Sequence, residues 1–268
     1  MPAPPTPPPP PGDINRFITL AEACADAAGE VLTRYFRQSI TVETKADASP
    51  VTIADREAET AMRALIGAAF PDHGIIGEEL PNTNTDAPFT WVLDPIDGTK
   101  SFITGKPSFG TLVSLAQDGV PILGLINQPI TQERWLGAIG RESTLNGAPA
   151  RTRNCAALGD AMLYTTSPYL FPGDTEAGFQ ALRAGVRHAL YGGDCYSYGL
   201  LASGFADIVV EAGLKPYDYA ALVPVVEGAG GVITGWDGEA LTLASDGRVL
   251  AASTKTLHDE ALSILQSN

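Results

Sequence analysis

Positive charge is scarce in this 268-residue chain: 17 lysines and arginines stand against 31 aspartates and glutamates, for a net charge of −14. Proteins that grip a phosphate backbone displace its counterions with basic surface, so nucleic acid is excluded as a partner. Cysteine is almost lacking. Cys24, Cys155 and Cys195 are odd in number, far apart and without CxxC spacing, which excludes a disulfide framework and a cysteine-held zinc site. The three histidines, His73, His188 and His258, show no HExxH pairing, so a histidine-built zinc centre is not indicated either. No run approaches the ~18 uninterrupted apolar residues of a membrane span, and the N-terminus lacks the charged-then-apolar layout of a secretory signal. Aromatic residues, 7% of the chain, are scattered and offer no stacking stripe for single-stranded RNA. These absences lead to the expectation of a soluble protein in a reducing cytoplasm, suited to metal ions or cationic small molecules.

What is present supports a sizeable core. Hydrophobic residues make up 44%, enough for one large domain. The opening "MPAPPTPPPPPG" is expected to be an extended, disordered tail over residues 1–12, because proline fixes φ and removes amide donors. A single folded domain is expected over 13–268. Asp13 reads as the cap of a first helix, with Ile14, Phe17, Ile18, Ala21, Ala25, Ala28, Leu32 and Tyr35 at helical spacing. A second helix is expected from Asp55 to Ala69, closed by Pro71.

Short apolar runs follow, "GIIGEE", "FTWVLD", "GTLVSLAQDG", "VPILGLINQP" and "ERWLGAIG", and these read as strands of a large mixed or antiparallel sheet. Asp118-Gly119 supplies a tight hairpin between two of them. In the second half strands and helices alternate: "AMLYTTS", "HALY", "ADIVVEAG", "VITGWDG" and "RVLAAS" as strands, with helices over "TEAGFQALRAGV", "CYSYGLLASG", "DYAALVPVVEGAGG" and "TLHDEALSILQ". The expectation is an α/β architecture in which helices sandwich two sheets. The "GAGG" at 228–231 lacks the strand-then-helix order of a nucleotide loop and reads as a helix end.

The chemistry centres on "WVLDPIDGTK" at 91–100. Trp91, Val92 and Leu93 read as a strand entering a core, and Asp94 and Asp97 stand at its exit. Taken alone, DxxDG is a turn. Two further features change that reading: Glu78-Glu79 ends another apolar run, and Asp218 opens a helix in "KPYDYAALV". Acids crowded at element ends repel one another and lose hydration unless cations compensate them. Glu78, Asp94, Asp97 and Asp218 are the hard oxygen donors that Mg²⁺, or Mn²⁺, accepts. If a short helix starts at Gly98, the amides of Gly98 and Thr99 offer a phosphate cradle beside the metals. Haloacid-dehalogenase-type phosphatases carry DxDGT, and DPIDGT is one residue too long.

In the order "GEE" (77–79), "WVLDPIDGT" (91–99) and "YDYAALVPVVEGAGG" (217–231), the chain resembles the inositol-monophosphatase superfamily over most of its length. The resemblance implies an αβαβα sandwich, Mg²⁺ dependence with two or three ions, a phosphomonoester substrate and a homodimer. By position, Glu78, Asp94, Asp97, Asp218 and the carbonyl of Ile96 would hold the metals, with the phosphate against Asp97, Gly98 and Thr99. Thr99, oriented by Asp55, would help Glu78 activate a water for in-line attack on phosphorus. Without the resemblance Asp55 is a plain helix N-terminal acid. Lys45 would lie near the site. Cys195 reads as a small buried residue rather than a nucleophile.

For the substrate, "GGDCYSYGLLASG" and "VVEAGLKPYDYAALVPV" resemble the histidinol-phosphatase branch more than the inositol branch, which usually has Trp at Tyr217 and Asn at Ser101. Gly192, Gly193, Asp194, Glu211 and Asp218 would face the alcohol part of the substrate. Asp194 either meets a cationic substrate or caps the helix beginning at Cys195. The expected activity is hydrolysis of L-histidinol phosphate in histidine biosynthesis; inositol-1-phosphate and 3′-phosphorylated nucleotides are the alternatives within the class. A metal- or phosphate-binding protein without turnover is the alternative outside it.

Overall fold

The computed structural model describes residues 9–44 and 50–267. Residues 1–8 of the expected tail, and Lys45, lie outside the described residues. The first helix, α1 (Pro11–Tyr35), starts two residues before Asp13. Proline suits a first helical position, since its φ is already helical and its missing N–H has no partner to lose there. Asp13 is thus in the first turn, and helix replaces tail at Pro11–Gly12. After the short hairpin of β1 (Val42–Thr44) and β2 (Pro50–Thr52), α2 runs over Ile53–Ala69. Its N-cap is Thr52, and Asp55 is the third residue of a capping box, so this helix also begins ahead of expectation.

Seven strands form the first sheet, in the order β3 (Gly74–Gly77), β4 (Phe89–Asp97), β5 (Gly110–Gln117), β6 (Val120–Gln128), β7 (Glu133–Ala138), β8 (Thr144–Leu145) and β9 (Ala148–Pro149). β3 and β4 are parallel and every later pair is antiparallel. The β5–β6 turn carries Asp118 at φ 49° and Gly119 at φ 80°, the backbone that a tight hairpin needs. A five-residue helix, α3 (Thr99–Ile103), leaves the end of β4.

The second half comprises β10 (Met162–Thr165), α4 (Asp174–Gly185), β11 (His188–Tyr191), α5 (Tyr196–Ala202), β12 (Ile208–Glu211), α6 (Pro216–Tyr219), α7 (Leu222–Gly228), β13 (Val232–Thr234), β14 (Val249–Ala252) and α8 (Lys255–Ser267). Its five strands pair in the order β11-β10-β12-β14-β13. The stretch expected as one helix from Asp218 breaks into α6 and α7. Pro224 falls in the first turn of α7, where proline is tolerated.

Three hydrophobic clusters define five layers. Ala21, Ala28 and Leu32 of α1 and Ala58 and Met62 of α2 cover one face of the large sheet, meeting Trp91, Leu93 and Val113. Its other face, through Leu112, Ile126 and Trp135, packs on α5 and α7 (Leu201, Val225), whose far side meets Val209 and Ala251 of the second sheet. That sheet's outer face, through Leu163, Val210 and Leu250, is closed by Phe179 of α4 and Leu257 of α8. The protein is an αβαβα sandwich, as expected. Among the described residues no helix is long and apolar enough to cross a membrane.

Candidate active site

Alternation along a strand poses a difficulty for Asp94 and Asp97. Residues three apart on a regular strand point to opposite faces. The pairing of β4 with β5 resolves it: Asp94 lies opposite Leu112 and Asp97 opposite Gly110, three steps on one strand against two on the other. One extra residue in β4 inverts its facing from that point on. Leu93 and Ile96, also three apart, accordingly share the cluster under α1 and α2. Both acids are thereby turned to the opposite side, towards the helices between the sheets.

There Asp94, Asp97 and Asp218 each bring a carboxylate oxygen to within 4.8 Å of the others. Each acid is oriented by one backbone amide: Ile96 N donates to Asp94 Oδ1 (3.0 Å), Cys195 N to Asp97 Oδ2 (2.6 Å) and Lys215 N to Asp218 Oδ2 (2.6 Å). Asp218 therefore ties down the start of α6 and also faces the cluster. Asp94 is buried at 1% exposure. Loss of water, then the charges of Glu78, Asp97 and Asp218, push its pKa well above the usual carboxylate range. Asp97 is likewise raised well above that range, by burial and then by Asp194 and Asp218. Asp218 is pushed up to about 7, chiefly by burial and also by the Glu78 charge.

Glu78 follows β3, its amide bonded to Leu93 O (3.2 Å) on β4. Its side chain is close enough to Asp94 for a hydrogen bond, and its charge also raises Asp55. Burial is the larger cause for Asp55. Asp55 Oδ2 accepts from Thr52 N (2.7 Å) and Thr52 Oγ1 (2.6 Å), while its Oδ1 is buried without a hydrogen-bond partner. Thr99 Oγ1 donates to Ile96 O (3.2 Å). A hydroxyl has a single hydrogen, and here Thr99 gives it to the Ile96 carbonyl, the one expected to face metal, and not to Asp55. Gly98, at φ 83°, caps α3 and abuts Asp194: a Cβ there would stand 2.7 Å from Asp194 Cγ.

A cavity of about 210 Å³ opens beside the cluster, lined by Asp97, Thr99, Asp194, Tyr198, Glu211 and Asp218 among others. A much larger open groove, about 1570 Å³, runs along α1 past Asp26, Arg34 and Arg134 and holds none of the expected site residues. Asp194, at φ 47°, does not cap α5, whose N-cap Cys195 has no side-chain cap. Its Oδ2 instead accepts from Ser101 Oγ (2.6 Å) and Ser108 Oγ (3.1 Å). Gly192 O accepts from Lys106 Nζ and lies 3.2 Å from Ser108 Oγ, as an alternative acceptor for the hydrogen that Ser108 gives Asp194. Gly193 has no room for a side chain, since a Cβ would lie 1.8 Å from Ser197 Oγ. Glu211 accepts from Thr166 N (2.8 Å) and Thr166 Oγ1 (2.9 Å), and burial above all raises it to about 7. Ser108 and Lys106 were not foreseen; neither sits in a motif, and only folding brings "GKPSFG" against Gly192.

The shape and the acids together match a known family: the sequence profile of the inositol monophosphatase family covers residues 13–268. The chain belongs to the inositol monophosphatase family. It is 51% identical over 263 residues to the bifunctional phosphatase IMPL2, chloroplastic, of Arabidopsis thaliana, covering 95% of this chain and 76% of that one. It is 36% identical over 266 residues to the histidinol-phosphatase of Mycobacterium tuberculosis, covering 93% and 98%. The solved structure of an inositol monophosphatase from Zymomonas mobilis superposes with a TM-score of 0.87 at 50% identity, over 94% of this chain and 98% of that one. This inositol-monophosphatase-family protein is thus a phosphoric monoester hydrolase with an acidic cluster able to hold metal.

Proposed function

We propose that the enzyme is a magnesium-dependent phosphomonoesterase that hydrolyses L-histidinol phosphate to L-histidinol and phosphate, a step of histidine biosynthesis. The donor set fits the metal. Three carboxylates that repel at close range, each already oriented by an amide, offer hard oxygens only, which Mg²⁺ prefers and softer ions do not. Asp94, Asp97, Asp218, Glu78 and the Ile96 carbonyl are the proposed holders. Bound there, such ions neutralise charge on the phosphoryl group and make water acidic enough to serve as a nucleophile at neutral pH.

The remaining work falls to the chain itself. Glu78, next to Asp94 and Asp55, takes the proton of the attacking water. Thr99 Oγ1 orients that water, and the unpartnered Asp55 Oδ1 is the acceptor to which its hydroxyl turns. Asp97 with the amides of Gly98 and Thr99, at the start of α3, faces the phosphate.

The observation that carries the substrate is the pair of acids beyond the cluster, Asp194 and Glu211, on the same cavity. Histidinol phosphate brings an ammonium and a titratable imidazole, whereas inositol phosphate brings hydroxyls, so two carboxylates favour the former. Ser101 and Ser108 fix one oxygen of Asp194 and leave the carboxylate's second oxygen for a cation. Relatives named as histidinol-phosphatases support the same reading. Phosphate release should be measured side by side on histidinol phosphate, inositol-1-phosphate and a 3′-phosphonucleotide. A charge-assisted hydrogen bond is worth about 1.5–3 kcal/mol, so Asp194→Asn should cost histidinol phosphate about 10- to 100-fold in kcat/KM and spare inositol phosphate. Comparable or higher kcat/KM of the wild type on inositol phosphate would remove the histidinol assignment.

A further inference from the structure

We infer that Glu59 and Arg63, which do not line the cavity, form the device that positions Glu78 against Asp94. Glu59 lies on α2 four residues after Asp55, on the same helical face, and is fully buried at 0% exposure. Its Oε1 accepts from Arg63 Nε (2.7 Å) and Leu80 N (3.2 Å), and its Oε2 accepts from Glu79 N (2.8 Å). Arg63 Nη2 donates to Leu80 O (3.0 Å) and Nη1 to Pro81 O (3.1 Å). The ion pair thereby engages two amides and two carbonyls of the turn that follows Glu78.

On the other side of Glu78 its own amide is bonded to Leu93 O, the carbonyl just before Asp94. Glu78 is therefore pinned at both ends, to the strand of one acid and to the helix of another. Gly77 makes this possible. A Cβ there would stand 2.0 Å from Glu59 Oε1 and 2.7 Å from Arg63 Nη2, so any larger residue would push the pair off the turn. Holding α2 against the sheet does not by itself call for a buried ion pair; apolar residues of similar volume do that at no desolvation cost. What the pair adds is four directional contacts to the backbone of residues 79–81, and these fix where the preceding side chain points.

This rests on the reading of Glu78 as a holder of metal and acceptor of the water's proton. The experiment compares Glu59→Gln, Arg63→Lys and Gly77→Ala with Glu78→Gln in the full-length protein. Mn²⁺ dissociation constants come from the loss of free-ion EPR signal, Mg²⁺ activation constants and kcat from phosphate release, and folding from thermal melts. Residues that orient metal ligands typically contribute 10- to 100-fold in affinity. Glu59→Gln and Gly77→Ala should weaken Mn²⁺ binding and raise the Mg²⁺ activation constant by about that factor, with kcat largely restored at saturating Mg²⁺. Should Glu59→Gln fail to fold, Arg63→Lys decides, because it keeps the opposite charge and loses the fork to Leu80 and Pro81. Folded variants that bind Mn²⁺ as the wild type does, while Glu78→Gln does not, would overturn the inference. If Glu78→Gln itself bound and turned over normally, the assignment of Glu78 would be the part that fails.

Discussion

In the metal-free protein, Asp94→Asn should raise thermal stability at pH 8 while ending turnover. The oxygens of Asp94, Asp97 and Asp218 lie within 4.8 Å of one another. Two full charges at that distance repel by about 3.5 kcal/mol at an effective dielectric of about 20. Without a cation the fold avoids this by keeping protons, so the folded-state pKa values are raised: Asp94 and Asp97 well above 3.8, Asp218 from 3.8 to about 7. An acid raised in this way stabilises the fold while protonated, and that contribution disappears as pH climbs through the folded value. For Asp218 the loss runs from about pH 4 to beyond pH 7. Asparagine removes the repulsion of residue 94 with both partners and keeps an oxygen for the Ile96 amide. Because Asp97 and Asp218 are partly open to solvent, water screens part of the Coulomb figure, leaving a gain of about 1–3 kcal/mol. With about 2.1 cal/mol/K of unfolding entropy per residue, a chain of 268 residues converts this to about 2–5 °C in Tm.

Calorimetry in EDTA at pH 8 and pH 5 reads the effect, which should shrink at pH 5. Adding Mg²⁺ to about 1,000 times its Kd should reverse the order, since that contributes about 4.1 kcal/mol to the protein that binds it, more than the gain from the substitution. An Asp94→Asn variant melting below wild type in EDTA at pH 8 would refute the reasoning, and so would a wild-type Tm indifferent to Mg²⁺.

Three further outcomes are expected. Gly98→Ala places a side chain at φ 83° and 2.7 Å from Asp194 Cγ; it should cost about 1 kcal/mol or more from the left-handed backbone alone and lower kcat/KM, and native melting and kinetics in that variant would contradict the packing described. Thr99→Ala should lower kcat more than it raises KM under the proposed role of its hydroxyl in orienting the water; a change confined to KM would count against that role. Cys24, Cys155 and Cys195 are all buried, with burial raising Cys24 to about 12 and Cys195 well above its ordinary value. Iodoacetamide at pH 8 should therefore leave all three unmodified in the folded protein, as intact mass would report, and rapid labelling of Cys195 would show that the cavity wall opens.

Much of the layered fold was legible because the strands obey a period of two and the helices a period near 3.6, with turn residues between them. The hairpin at Asp118-Gly119 is the clearest case, where two letters dictate a backbone that few others adopt. Helix starts were less legible: Pro10–Pro11 and Thr52 act through backbone geometry that a capping preference for Asp13 or Asp55 conceals. The four acids could be named from element ends alone, but the convergence of Asp94, Asp97 and Asp218 depends on strand pairing and its bulge. Asp194 shows the limit most plainly. Its choice between capping and the cavity was decided by Ser101 and Ser108, about ninety residues earlier in the chain, and no local pattern records such a contact.

The extra residue in β4 acts as a frameshift written in space. Side chains alternate between the two faces of the sheet on either side of it, but beyond it the alternation runs in the opposite phase. Without the bulge, at their present spacing of three, one of the two acids would be delivered into the greasy layer beneath the first two helices. The chemistry of this protein thus depends on an inserted spacer as much as on the carboxylates flanking it, and a designer copying the acids onto a smooth strand would obtain the ingredients without the site.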